Sequence, residues 1–186
     1  MTDIPDADLV ARIARGDRAA MQALYARHAT AVYRFLVRLL RDAAGAEDLV
    51  SDVFFDVWQQ AGRYEGRASV TTWMLSIARF KALSALRRRP HAALDPETAE
   101  AVPDEADTPE AVLQKAGKSE ALRRCIAALS AEHRMVVDLV YYHDLSVEEV
   151  AQVLAIPAGT VKTRLFHARK RLSEHLLAAG IDRGWP

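Results

Sequence analysis

Residues 146–172 constrain the fold most, because their sequence SVEEVAQVLAIPAGTVKTRLFHARKRL predicts two helices separated by a tight turn. Ser146 and Glu149 form an S-x-x-E capping box at the start of the first helix. Pro157 lacks a backbone donor and Gly159 accepts left-handed dihedral angles, so we expect a sharp change of direction between the helices. The pattern is typical of a helix-turn-helix, a motif that places its second helix in the major groove of DNA.

At about 100° per residue, the second helix divides into an apolar side and a polar, basic side. The residues predicted to face the core are Val161, Leu165, Ala168 and Leu172. On the opposite side and along its flanks we expect DNA contacts, to base edges or to phosphates, from Lys162, Thr163, Arg164, Phe166, His167, Arg169 and Lys170. An alternative interpretation is that these cations only solvate an outer helix, with Phe166 packed against a neighbour.

The periodicity of the whole chain is helical, and no alternating or β-branched run is long enough to predict a sheet. We therefore predict an all-α fold of two small helical domains joined by a flexible acidic linker. The predicted boundaries are 1–89 for the first domain, 90–108 for the linker and 109–186 for the second domain. Formal charge is zero over the 186 residues, but the acidic residues are concentrated in and beside the linker.

Individual helices can be predicted from the same periodicity. Asp17 is placed to cap a long helix whose predicted buried stripe is Leu24, Val32, Phe35, Leu36 and Leu39. Two more helices are predicted at about 46–60 and 71–89, the second with Trp73 and Ile77 in the core. In the second domain, helices are expected near 109–129, 131–142, 146–155 and 158–178, with His143 and Asp144 as a capping or surface pair.

One side of the helix at 46–60 is acidic with an aromatic residue at its centre. Its members, at helical spacing, are Asp48, Asp52, Phe55 and Gln59. An exposed phenylalanine between carboxylates favours a docking surface for a basic, partly apolar protein helix. The alternative is that Phe55 packs under a loop and the acids are simply solvated.

The following loop and helix carry groups that suit single-stranded nucleic acid. Tyr64, Arg67 and Ser69 lie in a glycine-containing loop, where stacking and phosphate contacts can hold an unstacked base. The helix after the loop adds four cations that we assign to the same DNA-binding surface: Arg79, Lys81, Arg87 and Arg88.

Together these segments resemble a known family. AEDLVSDVFFDVWQQAGRYEGRASVTTWMLSIARFKALSALRRR resembles region two of the bacterial sigma factors, and LSVEEVAQVLAIPAGTVKTRLFHARKRL resembles their region four. The short chain without an intervening region three is similar to the extracytoplasmic-function (ECF) group.

The resemblance implies specific partners. Core RNA polymerase would be bound through its β′ clamp helices, by the surface around Phe55, and through its β flap. Promoter DNA would be opened at the minus-ten element by the loop and helix described above, and read at the minus-thirty-five element by region four. An anti-sigma factor commonly controls members of the group. Phe80 stands where many relatives have asparagine, so the minus-ten preference does not carry over.

Two other classes of protein are alternatives. A two-domain helix-turn-helix regulator would bind an operator without polymerase and sense a ligand in its first domain. An enzyme is disfavoured, because the six histidines are scattered and no paired cysteines or phosphate-binding loop occur. A zinc site at Cys125 lacks ligand spacing. We predict no catalytic residues, cofactor, metal or membrane insertion, and a cytoplasmic location that suits a single cysteine.

Overall fold

The computed structural model describes residues 4–88 and 121–180, and every regular element in these ranges is helical. The all-α prediction is confirmed. In the first range the elements are α1 (Asp6–Ile13), α2 (Arg18–Leu40), α3 (Ala43–Gln60), a 3-10 turn (Ala61–Arg63) and α4 (Val70–Arg88). In the second they are α5, described over 121–127, α6 (Ala131–Tyr141), α7 (Val147–Leu154) and α8 (Ala158–Ala178).

Part of the predicted domain organisation concerns residues outside the two described ranges. The predicted linker, 90–108, and the first residues of the predicted helix at 109–129 lie outside the described residues. Internal contacts divide the chain into two compact units, and residues 148–155 are grouped with the first of them. The boundaries 1–89 and 109–186 remain predictions.

Helices α2, α3 and α4 pack against one another around one apolar core, and α1 lies against α2. Fully buried side chains come from all three of the larger helices, among them Phe35, Leu36, Val53, Val57 and Met74. Each such burial contributes roughly 1.5–3 kcal/mol. The predicted stripe of α2 is confirmed except at Leu39, which is partly exposed because its neighbour Leu40 takes the buried position.

Aspartate side chains cap the N-termini of two of these helices. The backbone N–H of Ala20 donates to the Asp17 carboxylate at 3.1 Å, so the predicted cap of α2 is confirmed. In the same way Asp42 accepts from the N–H of Gly45 at 3.0 Å. This second cap explains why α3 starts at Ala43, three residues before the predicted position.

The buried side of α4 differs from the prediction. Val70, Met74, Ala78 and Ala82 recur every four residues and form that side. Trp73 and Ile77 are therefore only partly buried, and their assignment to the core was wrong. Trp73 instead lies against the ring of Tyr64, with 5.0 Å between ring centroids.

The turn between α7 and α8 also differs from its prediction. The left-handed residue is Ala155, with φ of +51°, whereas Gly159 lies inside α8 and has no positive φ. Pro157 immediately precedes α8, and its carbonyl accepts from the N–H groups of Thr160 and Val161. Proline suits this place because the start of a helix requires no donor from it.

A buried contact between two polar side chains lies where α6 ends. His143 Nε2 is 3.4 Å from the Asp138 carboxylate, and the side chain of His143 is only 4% exposed. The interpretation of His143 and Asp144 as a capping or surface pair was therefore wrong for His143, whereas Asp144 is exposed. The sequence did contain a signal for this contact. Asp138 lies within the apolar run MVVDLV, and a carboxylate on the buried side of a helix requires a polar partner.

Helix α1 is attached to α2 by a polar contact at its first residue. Asp6 accepts hydrogen bonds from Arg27 at 2.7 Å and lies 2.6 Å from Nε2 of His28. Partial burial opposes ionisation, but the hydrogen bonds and charges of Arg27 and His28 outweigh it and lower the pKa of Asp6. The contact is therefore strongest when Asp6 is ionised.

Replacing Asp6 by asparagine should lower the free energy of unfolding by about 1 kcal/mol at neutral pH. A carboxyl whose pKa is lowered by folding stabilises above its unfolded pKa, and this contribution is lost as the pH falls through the folded pKa. The difference between Asp6→Asn and the wild type should thus shrink below about pH 4, as measured by urea denaturation. Asp8→Asn is the control, because Asp8 is exposed in the same first turn of α1. An equal loss from both variants would refute the specific contact.

Candidate polymerase and nucleic-acid interfaces

The four residues assigned to polymerase binding share one exposed side of α3. Positions 48, 52, 55 and 59 are all solvent-exposed, and the ring of Phe55 is 59% exposed. The other side of the helix is anchored in the core by Val50, Val53, Phe54 and Val57. The placement of Asp48, Asp52, Phe55 and Gln59 on one open surface is confirmed, and its role in docking stays a prediction.

The loop between α3 and α4 is folded back on α4. The hydroxyl of Tyr64 donates to the carbonyl of Ala68 at 2.6 Å, and Gly66 provides a left-handed residue with φ of +70°. Partial burial, followed by the negative charge of Asp6, raises the pKa of Tyr64. The phenol therefore remains a protonated donor, with its ring half-buried beside Trp73.

The two other loop residues assigned to DNA have different surroundings. Arg67 is 86% exposed and pairs with Glu65 at 2.7 Å. Such an exposed pair contributes at most about 1 kcal/mol, so Arg67 can exchange it for a phosphate. Ser69 caps α4, because its Oγ accepts from the N–H of Thr72 at 3.2 Å and its carbonyl accepts from the N–H of Trp73. This capping role was missed.

The four cations of α4 differ in how exposed they are. Lys81 lies 3.0 Å from the Asp56 carboxylate of α3, with its side chain only 20% exposed, and Arg79 is partly buried. Arg87 and Arg88 at the end of the helix are exposed. Phosphate contacts are therefore most accessible at the C-terminal end of α4.

The outer surface of α8 has the predicted composition. Val161, Leu165 and Ala168 are buried, Leu172 is partly buried, and Phe166 is 65% exposed with its ring against His167 at 5.4 Å. Most of the residues that the sequence analysis assigned to DNA contact are exposed, namely Lys162, Thr163, Phe166, His167, Arg169 and Lys170. Thr163 also donates to the carbonyl of Gly159 within the helix at 3.0 Å.

Two flanking arginines of α8 are held by residues of α6. Arg169 Nε donates to the Tyr141 hydroxyl at 2.8 Å, with the guanidinium 5.8 Å from the ring centroid. Arg164 pairs with Glu132 at 3.0 Å and is partly buried. Tyr141 was missed by sequence reasoning, although the adjacent exposed tyrosines Tyr141 and Tyr142 were a visible signal.

His133 of α6 lies close to this surface. Its ring centroid is 6.4 Å from that of His167. Partial burial lowers the pKa of His133, and the positive charges of Arg171 and His167 lower it further. The neutral form of His133 is thereby favoured, so this residue adds little charge beside the outer surface of α8.

Neither a metal cluster nor a membrane-spanning helix occurs in the described ranges. Within them, no group of three or more histidine, cysteine, aspartate or glutamate side chains has an arrangement that could hold a metal ion. Cys125 is buried. No described helix is both long and apolar enough to cross a bilayer.

Comparison with known families matches both parts of the chain. The Sigma-70 region 2 model matches residues 24–91, which include α3, the loop and α4. The Sigma-70 region 4 model matches residues 119–172, which include α6, α7 and the start of α8. The two models occur in the order that the sequence analysis expected.

Similar proteins extend over nearly the full length. The ECF RNA polymerase sigma factor SigL of Mycobacterium tuberculosis is 33% identical over 175 residues, covering 94% of this chain and 98% of its own. The ECF sigma factor RpoE of Cereibacter sphaeroides is 34% identical over 167 residues, covering 86% and 88%. The chain belongs to the ECF sigma factors of bacterial RNA polymerase, the initiation factors that direct polymerase to promoters.

Solved structures have the same fold. Bartonella quintana RpoE, crystallised with the anti-sigma factor NepR, has a TM-score of 0.69 at 23% identity, covering 87% of this chain and 98% of that one. CnrH, in complex with the cytosolic domain of CnrY, has a TM-score of 0.67 at 24% identity, covering 93% and 97%.

Proposed function

We propose that this ECF sigma factor binds core polymerase through the open side of α3 and contacts two promoter elements through separate surfaces. The observation that carries the proposal is the exposed set on α3 centred on Phe55. An exposed aromatic ring flanked by acidic side chains offers an apolar anchor with a polar rim, which is the usual composition of a protein interface. The complementary partner is the basic, partly apolar surface of the β′ clamp helices.

Opening of the minus-ten element is assigned to the loop and to α4. An unstacked base could be held beside Tyr64, while Arg67, Arg87 and Arg88 contact phosphates. Lys81 would contribute only after leaving Asp56, so its share of binding is smaller. Ser69 supports the site chiefly by capping α4, which fixes the direction of the loop.

Reading of the minus-thirty-five element is assigned to α8. The exposed side of α8 carries four candidates for base contacts, with Phe166 suited to a thymine methyl group: Lys162, Thr163, Phe166 and His167. Arg164, Arg169 and Lys170 are candidates for phosphate contacts. Tyr141 holds Arg169 by its Nε, which leaves the terminal nitrogens of the guanidinium for a phosphate.

Each DNA surface by itself is small, so free sigma factor should bind promoters weakly. Joining two weak contacts raises affinity only when both can be engaged at the same time. Core polymerase, also contacted through its β flap, would set the spacing. We further propose that the chain works by binding alone, without catalytic chemistry or a cofactor, and that it acts in the cytoplasm, where polymerase is found.

Control by an anti-sigma factor is part of the same proposal. Solved relatives of this fold are complexes with such a partner, as the pair of RpoE and NepR illustrates. An inhibitor that covers Phe55 would block polymerase binding directly, since this ring is the centre of the docking surface. Release of the inhibitor would then start transcription.

The deciding experiment is run-off transcription with purified core polymerase and this chain, followed by sequencing of the transcripts. We expect initiation from a limited set of promoters that share two elements, and no specific initiation by core polymerase alone. Specific operator binding by the isolated chain, without any initiation, would instead support the rival class of ligand-sensing regulators.

The double substitution Asp52→Ala with Phe55→Ala should weaken binding to core polymerase by about 2–4 kcal/mol, because it removes the apolar anchor and one rim charge. Binding is measured by fluorescence anisotropy of labelled sigma factor. Glu47→Ala is the matched control, since Glu47 is an exposed acid elsewhere on α3. Unchanged affinity of the double variant, with its helical content intact, would refute this docking surface.

Lys162→Ala and His167→Ala should each lower promoter affinity of the holoenzyme by roughly 1–3 kcal/mol if they contact bases. Loss of a base contact reduces affinity only for promoters with the preferred base, whereas loss of a phosphate contact weakens all promoters equally. Systematic single-base changes in the minus-thirty-five element distinguish these cases. Arg123→Ala, an exposed cation on α5, serves as the charge-matched control.

A further inference from the structure

Glu132, in the first turn of α6, is an acid placed beside the basic helix α8. Its carboxylate lies 3.0 Å from a terminal nitrogen of Arg164. The glutamate side chain is 66% exposed, whereas that of the arginine is only 25% exposed. Ser130 caps α6 by accepting from the N–H of His133 at 3.3 Å, which fixes the turn that carries Glu132. One of the cations assigned to DNA is therefore held by an acid that itself remains open to solvent.

The pair belongs to one flank of α8, which we call the α6-facing flank and define by Arg164, His167 and Arg171. At about 100° per residue, these three side chains lie within about 60° of one another around the helix. Partial burial lowers the pKa of His133, and the positive charges of Arg171, His167 and Arg164 lower it further. The flank is thus close to the first turn of α6, and Glu132 is the acid in that turn.

The opposite flank of α8 is held without an acid. Arg169 lies about 140° around the helix from Arg164, and its Nε donates to the hydroxyl of Tyr141 at 2.8 Å. A neutral hydroxyl leaves the charge of the guanidinium in full, whereas a carboxylate at short range opposes it. The two arginines therefore differ in what they offer to a phosphate, although the sequence assigned both to the same DNA surface.

Competition between Glu132 and a phosphate has a predictable effect on binding. An exposed ion pair is weak, so a phosphate can displace it, but Arg164 must first leave Glu132. The freed carboxylate then repels the same phosphate. Both effects lower affinity for any duplex, because phosphates carry the same charge in every sequence.

We propose that Glu132 withholds Arg164 from the DNA backbone and thereby limits the affinity of α8 for duplex DNA of any sequence. The inference rests on the proposed function, since it requires that α8 contact the minus-thirty-five duplex. Its consequence for initiation follows from the need for two contacts. While the contact through α8 is weak, the holoenzyme stays on a promoter only if both elements match.

The test compares holoenzymes assembled from core polymerase and full-length chains on duplex promoters mapped by run-off transcription. Glu132→Gln removes the charge and keeps the size of the side chain. It should raise affinity about fivefold, equally for the native minus-thirty-five element and for one with a substituted base. The slope of log affinity against log salt concentration should also become steeper by about 0.9, because one more phosphate is neutralised. A purely structural role of Glu132 would not steepen this slope. Affinity is measured by fluorescence anisotropy of labelled DNA.

Two controls separate the ion pair from general repulsion between an acid and DNA. Glu174→Gln removes an exposed acid that lies roughly 15 Å along α8 from Arg164, and it should change affinity by less than about twofold. In chains that already carry Arg164→Ala, the change Glu132→Gln should likewise have an effect below about twofold, because no arginine is left to release.

Three outcomes would overturn the inference. One is affinity of Glu132→Gln that is unchanged or lower at every salt concentration. The second is an equal gain with and without Arg164, which would assign the effect to general repulsion. The third is a gain confined to the native minus-thirty-five element, which would assign Glu132 to base recognition. Failure of wild-type holoenzyme to initiate transcription would contradict the proposed function itself, so the two failures are distinguishable.

Discussion

The packing of α3 against α2 and α4 determines which side chains of residues 4–88 are left exposed for binding. Val53 and Val57 have no solvent exposure, and the ring of Phe54 lies 4.6 Å from that of Tyr25 on α2. A helix anchored along one side cannot rotate to hide the other side. Phe55 therefore stays in solvent although it directly follows the buried Phe54, and the acidic side chains beside it keep a fixed spacing.

The same packing separates charges of opposite sign onto neighbouring helices. The open side of α3 carries Asp48 and Asp52, while α4 has cations and no acid. Where the two helices meet, Asp56 and Lys81 neutralise each other at 3.0 Å. One small domain thus presents an acidic surface suited to a basic protein and a basic surface suited to DNA, although the chain as a whole has no net charge.

Three phenylalanines illustrate how exposed apolar groups are used in this fold. Phe55, Phe80 and Phe166 lie on α3, α4 and α8, each on the side of its helix away from the core. Exposed aromatic rings can serve as anchors in protein interfaces and as stacking or apolar contacts for nucleic acid. Their neighbours differ, with acids beside Phe55 and cations beside the other two. This difference supports the proposal of a protein partner for Phe55 and of DNA for Phe166.

Sequence periodicity determined the all-α class, the capped start of α2 and the exposed sides of α3 and α8, because a helix repeat of 3.6 residues places each side chain relative to its own helix. Pairing between helices was decided only by the tertiary structure. Which side chains pair depends on where two elements approach each other. The pairs formed in this way are Lys81 with Asp56, Arg169 with Tyr141 and His143 with Asp138. The left-handed turn residue was likewise Ala155 and not Gly159, since the geometry of the connection, rather than residue preference, selects the position that adopts it.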